Sequence, residues 1–289
     1  MARACRIILI LILIFNANKA NKAEALRIIS LYPGHTDNII ALGCKDYLIG
    51  VSENENDNLN LDLPKFSPRD GAEKFLALKP DIVITRRLAE RLNPALSDVL
   101  RQGGVKVFSL DTPGWDNFED YLIKLANILE IEPEKAANKF RDLINNIENL
   151  KLKYIALNLK RPRVFIEATP RELNTCAPDS WAAHLIELAG GVNAAAQAQA
   201  LRKGSAIAPF GLENILKNLN NINIYIIQQG AMNNASIQDV KARPWGKVFD
   251  VKNIKLVEMP ESILSRPSLL GLEQGGRELL KIFYDIKIK

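Results

Sequence analysis

Cysteine and histidine are nearly missing from this chain of 289 residues, with three copies of the first and two of the second. Cys5, Cys44 and Cys176 are far apart, which excludes a dense disulfide framework, a CxxC redox pair and a Cys/His zinc cluster. Cys44 and Cys176 are expected as free or buried thiols. With only His35 and His184, capture of bare zinc or manganese by a histidine-rich site is also excluded. The chain has no HExxH, G-x-S-x-G, P-loop or G-x-G-x-x-G, and its acidic residues form no recognisable acid/base pair. Aromatic residues make up only 7% of the chain, and no repeat or low-complexity tract interrupts it.

Long apolar runs are equally scarce. Ile7 to Phe15 is uninterrupted, but nine residues make a helix of only about 14 Å against a bilayer core of about 30 Å. Arg3 and Arg6 precede this run and Ala23-Glu24-Ala25 offers an A-x-A cleavage site, the pattern of a secretory signal peptide over residues 1–25. Cys5 lies before the run, where it cannot be the lipidated cysteine of a lipoprotein. The formal charge is +5, yet four cations and one acid fall within that leader, so the mature chain from about Leu26 carries only about +2. That is too little for general nucleic-acid binding.

The most regular feature present is the stretch from Pro133 to Lys160. Ala136, Phe140, Leu143, Ile144, Ile147, Leu150, Tyr154 and Leu157 recur at steps of three and four with no glycine and no internal proline, which predicts one unbroken amphipathic helix. Pro133 suits the first turn, Glu132 and Glu134 favour its positive end, and Arg161-Pro162 marks the stop. At about 40 Å such a helix is long enough to join two globular lobes. Periodicity alone leaves open an ordinary surface helix within one domain.

Strands and helices alternate on both sides of it. Arg27–Leu31 reads as a strand, Asp37–Leu42 as a helix capped by Thr36, Gly71–Leu78 as a helix, Ile82–Thr85 as a buried strand, Pro94–Gln102 as a helix and Val105–Leu110 as a strand. Beyond Pro162, strands are expected at Val164–Ala168, Ile222–Ile227 and Lys255–Met259, with helices at Trp181–Leu188, Leu212–Asn218 and Leu269–Tyr284. The expected fold is therefore α/β: two Rossmann-like lobes, 26–132 and 161–289, joined by a single long rigid α-helix, 133–160. The Asn/Asp/Glu run from Glu53 to Asn60 reads as a solvated loop whose spacing fits no EF-hand.

RIISLYPGHTDNIIALG, FLALKPDIVI, GGVKVFSLD, LIELAGGVN, GLENILK with the following IYII, and PWGKVFDVKNIKLVEMP resemble, in order, the periplasmic substrate-binding proteins of ABC importers for cobalamin, haem and ferric siderophores. The resemblance covers nearly all of the mature chain and rests on the order and spacing of the segments. It implies a periplasmic monomer that catalyses nothing and needs no cofactor. It also implies a metal chelate or corrinoid held between the lobes and delivery to an ABC permease dimer; a continuous connecting helix resists wide hinge bending, so little change of shape on loading is expected.

Within that frame the loops at strand ends acquire roles. His35, Arg86, Arg87 and Trp115 from the first lobe, and Arg171, Cys176, Trp181, Gln229, Met232 and Arg266 from the second, are the candidate substrate contacts. Guanidinium groups suit carboxylates, phosphates or catecholates, and an indole offers a flat apolar face to a macrocycle. His35 is the candidate ligand to the metal of a bound chelate, and Cys176 a softer alternative. Glu90 and Glu213 fall where the family carries a surface acid that docks onto permease arginines. Two rivals stay open: an oxyanion receptor, molybdate-like in its ligand, of the same fold, and an exported α/β hydrolase using His35 with Asp37 or Asp111.

Overall fold

The computed structural model describes residues 25–55, 59–156 and 160–284. The expected leader, apart from Ala25, lies outside the described residues, as do 56–58 of the polar run and 157–159 at the end of the long periodic stretch. The first lobe contains β1 (Ile28–Ser30), α1 (Pro33–Ala41), β2 (Leu48–Ser52), β3 (Lys65–Phe66), α2 (Ala72–Leu76), β4 (Ile82–Thr85), α3 (Arg87–Leu92), α4 (Pro94–Gln102), β5 (Lys106–Ser109) and α5 (Phe118–Ile128). Its strands form one parallel sheet in the order β3-β2-β1-β4-β5. Fully parallel sheets are covered on both faces, and the buried runs Ile28-Ile29-Ser30 and Ile82–Thr85 fit that position.

α6 (Pro133–Ile155) follows as a helix of 23 residues, about 34 Å long. It ends at Ile155, earlier than the periodicity predicts, with Ala156 as its C-cap. Ala136, Phe140 and Ile147 are buried, and Leu143, Ile144, Leu150 and Tyr154 pack against the same core, so the predicted apolar stripe faces inward.

The second lobe contains β6 (Arg163–Glu167), β7 (Thr175–Cys176), α7 (Trp181–Leu188), β8 (Val192–Asn193), β9 (Ile207–Ala208), α8 (Gly211–Asn218), β10 (Ile224–Gln229), α9 (Ile237–Ala242), α10 (Lys247–Val251), β11 (Lys255–Pro260), α11 (Glu261–Leu264) and α12 (Leu269–Tyr284). Its parallel sheet runs β11-β10-β6-β8, and β7 pairs antiparallel with β9. The order β8-β6-β10-β11 repeats β2-β1-β4-β5 of the first lobe. The two lobes thus share one topology, with β10 as the counterpart of β4.

The lobes are joined by more than the helix. One apolar cluster runs from Ile28, Ile82 and Phe118 through Phe140 and Ile147 to Val164, Trp181 and Leu272. At its centre Trp181 of the second lobe packs 4.9 Å from Trp115, 4.7 Å from Phe118 and 6.4 Å from Phe140, centroid to centroid, while His184 stacks on Trp115 at 5.2 Å. Buried Asn38 accepts a 2.8 Å hydrogen bond from the Leu269 amide and donates to Gly34 O at 2.7 Å, tying α1 to the start of α12. Along the same seam α6 lies so close to α12 that a Cβ on Gly276 would fall 2.5 Å from Ile147 Cδ1.

This seam predicts strong coupling between the lobes. Trp181→Ala should lower stability by about 3–5 kcal/mol in urea denaturation. A double-mutant cycle with Trp115→Ala should return about 1 kcal/mol of coupling between the two rings.

Candidate functional site

The strands of both sheets end in loops that face one another across a cleft of about 680 Å³. Leu31, Tyr32 and Pro33 enter it from the end of β1, Ser52 to Glu55 from the end of β2, and Arg86, Leu88 and Leu92 from beyond β4. The opposite wall is formed by Gln229, Gly230 and Ala231 after β10 and by Pro260, Glu261, Ser262 and Arg266 after β11. Carboxyl ends of parallel strands are where open α/β sheets place ligands. Leu88 and Leu92 are 54% and 48% exposed, so one lip of the cleft is apolar.

Charge in the cleft is balanced. Arg69, Arg86 and Arg266 line it together with Glu53, Glu55 and Glu261. The Arg86 guanidinium lies 4.2 Å above the Tyr32 ring, a cation–π stack that makes a flat platform on the first-lobe wall. Burial raises the pKa of the Tyr32 hydroxyl, against the opposing influence of the Thr112 side chain. Glu53 accepts from Ser67 Oγ at 2.8 Å. At the base, Arg266 Nη1 lies 3.7 Å from Asp37 Oδ2, an ion pair between the lobes. Burial pushes the Asp37 carboxyl up to about 6, against the opposing pull of Arg266.

Of the sequence-derived candidates, the structure brings Arg86, Gln229 and Arg266 to this cleft and places the others elsewhere. α1 begins at Pro33, four residues before the expected start, with Tyr32 as an extended N-cap. Thr36 is therefore inside the helix and hydrogen-bonded to Ser30 Oγ, and His35 is turned into the core. His35 Nδ1 accepts from the Tyr121 hydroxyl at 2.7 Å, and Nε2 donates to Leu110 O at 3.1 Å. With both nitrogens engaged and the ring fully buried, His35 has no free lone pair for a metal, which corrects the metal assignment.

The remaining corrections follow from packing and partners. Arg87 is exposed outside the cleft, paired with Asp111. Trp115 and Trp181 belong to the aromatic seam. Cys176 is buried in β7, where desolvation raises its thiol to about 11, and Cys44 is a second buried free cysteine. Arg171 is exposed on the turn between Thr169 and Asn174, and Met232 is 52% exposed at the tip of the Gly230–Asn233 turn; neither lines the cleft.

The same packing undoes the hydrolase arrangement: His35 is sealed in the core, while Asp37 and Asp111 pair with Arg266 and Arg87. Tyr32, the Glu53–Glu55 segment, Arg69 and Glu261 were missed. Tyr32 sits in the loop after the first expected strand, three residues before the candidate His35. Glu53 and Glu55 lie in the run read as a solvated loop, and nothing local marks Glu261.

The two acidic surface candidates differ in setting. Glu213 is exposed in the first turn of α8 and pairs with Lys217 at 2.7 Å. Glu90 is half-buried and accepts from Ser109 Oγ at 3.0 Å. α8 precedes β10, and the helix preceding its counterpart β4 is α2. Glu213 stands two residues after Gly211 and the exposed Glu73 two residues after Gly71, so Glu73 is the topological partner of Glu213 and Glu90 is not.

A model of the family described as periplasmic binding protein matches residues 28–262. A vitamin B12-binding protein of Vibrio vulnificus strain CMCP6 is 30% identical over 187 residues, which cover 63% of this chain and 66%, just under two thirds, of that relative. One from Yersinia pestis strain Pestoides F is 29% identical over 199 residues, 67% of this chain and 66% of its own length. Among solved structures, a periplasmic binding protein from Veillonella parvula superposes with a TM-score of 0.70 at 19% identity, covering 93% of this chain and 94% of its own. The periplasmic vitamin B12 binding protein of Vibrio cholerae does so with a TM-score of 0.57 at 22% identity, covering 89% and 96%. These likenesses share the two-lobed α/β fold.

His35 and Asp37 make opposite demands on pH. Burial holds His35 at about 4, so its contribution to stability is present above the ordinary value of 6.5 and is lost as pH falls from 6.5 towards 4. Asp37, raised to about 6, contributes at low pH and loses that contribution as pH rises from its ordinary 3.8 through about 6. Each shift of about 2 units corresponds to about 3 kcal/mol. Asp37→Asn removes one of the two opposing effects. Between pH 6.5 and 4 this variant should lose about 3 kcal/mol more than the wild type in urea denaturation.

Proposed function

The chain belongs to the periplasmic binding protein family, and on that premise we propose that it is an exported receptor that captures a corrinoid in the interlobe cleft and passes it to an ABC permease dimer. The family binds substrate for transport and does not transform it. The observation that carries the choice of ligand is the charge balance of the cleft, three guanidinium groups interleaved with three carboxylates. A corrinoid with neutral amide side chains meets donors and acceptors there in equal number. A tris-catecholate iron chelate or a simple oxyanion would find no net positive charge in this lining to offset the loss of its hydration. Cobalt held by its own macrocycle and axial groups needs no protein ligand, and the described lining contains no His, Cys or Met. The relatives described as vitamin B12-binding proteins support the same reading.

Haem is the second reading, and Tyr32 favours it. Its phenol lines the cleft and phenolate is a known axial ligand to haem iron. Docking to the permease is assigned to Glu73 and Glu213, one exposed acid on each lobe. Exposed ion pairs of this kind contribute about 0–1 kcal/mol each, enough to set orientation.

Titration of the mature protein with cyanocobalamin and with haemin separates the two ligands. The expected result is cyanocobalamin binding with stoichiometry near one, weakened about tenfold by Arg86→Ala, which corresponds to about 1.4 kcal/mol. Binding of haemin alone, lost in Tyr32→Phe, would replace the corrinoid reading by the haem one. Charge reversal at Glu73 and Glu213 together should abolish transport and leave ligand affinity unchanged.

A further inference from the structure

Behind the second-lobe wall of the cleft lies a buried charge that the binding site does not touch. Glu167, the last residue of β6, is fully buried. Its carboxylate accepts from Arg243 Nη1 at 2.6 Å and Nη2 at 2.8 Å, from the Tyr225 hydroxyl at 2.5 Å and from Asn233 Nδ2 at 3.2 Å. Four donors thus converge on one carboxylate, and the Arg243 side chain is itself only 17% exposed. Stability alone gives a weak reason for such an arrangement, because a buried ion pair is often no more stabilising than apolar side chains of the same volume.

What the network holds is the turn that carries the cleft wall. Asn233, 2% exposed, donates from Nδ2 to the Glu167 carbonyl at 3.1 Å as well as to its carboxylate, and accepts from the Ala235 amide at 3.0 Å. Gly230 and Asn233 exchange backbone hydrogen bonds of 2.8 and 3.1 Å, and Gln229 Nε2 donates to Ala235 O across the base. On its other side the turn meets Glu261, whose Oε2 would lie 2.7 Å from a Cβ on Gly230. Gly230 and Ala231, at the lip of this turn, face the cleft with bare backbone and a methyl group. They have no long side chain with which to adjust to a ligand, so the position of their backbone sets the width of the cleft.

We infer that Glu167, Arg243 and Asn233 are positioning residues for the ligand cleft: anchored in β6, they fix the Gln229–Ala235 turn at the spacing from the Tyr32–Arg86 platform that the ligand requires. None of the three lines the cleft, and the inference rests on the reading of that cleft as the binding site. Anchoring the turn before the ligand arrives removes the ordering cost from the binding step, so its loss raises the dissociation rate.

Two variants of the mature chain test this. Asn233→Ala cuts the turn from its anchor and leaves the Glu167–Arg243–Tyr225 cluster in place. Arg243→Lys keeps the charge and removes the bidentate geometry. Amide hydrogen exchange without ligand should quicken at least tenfold at Gly230, Asn233 and Ala235 in Asn233→Ala while β10 and the first lobe stay protected. Cyanocobalamin affinity should fall about five- to twentyfold through faster dissociation, with the thermal midpoint shifted by only a few degrees. Arg243→Lys should show the same pattern more weakly. Unchanged exchange in the turn would overturn the anchoring, and quickened exchange with affinity within twofold of wild type would overturn the link to binding. Should wild type bind haemin and not cyanocobalamin, only the ligand assignment fails, and the haemin affinities of the variants decide the proposal. Should wild type bind neither, the cleft reading fails, the positioning role is overturned with it, and the exchange result reports on anchoring alone.

Discussion

Burial of Trp181 against Trp115, Phe118 and Phe140 is the contact on which the two-lobed arrangement depends. Without it the junction would rest on α6, on the packing of α12 against α1 and α6, and on a few polar groups, and domains joined by small interfaces move relative to one another by default. With it, a single apolar core runs from one sheet to the other across α6. Asn38 and the Asp37–Arg266 pair extend the junction to the base of the cleft. The cleft therefore has walls whose separation is fixed by packed side chains, and densely packed interiors resist continuous deformation.

This constraint explains the division of labour among the strand-end loops. Those nearest the seam carry core residues, with His35, Cys176 and Trp181 sealed inside. Those farther out carry the groups that line the cleft: Tyr32 with Arg86 on one wall, and Gly230, Ala231 and Glu261 on the other. On the second wall the Gly230–Ala231 turn has little side-chain substance of its own and is tied to the buried Glu167 cluster through Asn233.

Much of this fold can be read in the sequence because period and punctuation act locally. The Ala136–Tyr154 stripe, the Ile82–Thr85 strand and the Leu269–Tyr284 helix all appear where the pattern puts them. α5 was missed, although Phe118, Tyr121, Leu122 and Leu125 carry the same period, and the short strands β3, β7, β8 and β9 offer too few residues to signal anything. The site was harder to read because a residue type does not reveal where its side chain points. A start four residues earlier for α1, allowed by Pro33 at its first turn, moved His35 from the cleft into the core. Arg86 and Arg87 are adjacent in sequence, yet one lines the cleft and the other pairs with Asp111 outside it. The proposed docking acid of the first lobe comes from the shared strand order, which aligns Glu73 with Glu213.

A seam packed in this way should hold the two lobes at one separation, empty or loaded. Spin labels on cysteines introduced at Glu73 and Glu213 report that separation, since both positions are exposed and the native Cys44 and Cys176 are buried. One narrow distance distribution is expected, staying in place when ligand is added to saturation. A broad distribution in the empty protein, or a shift of several ångströms on loading, would contradict it.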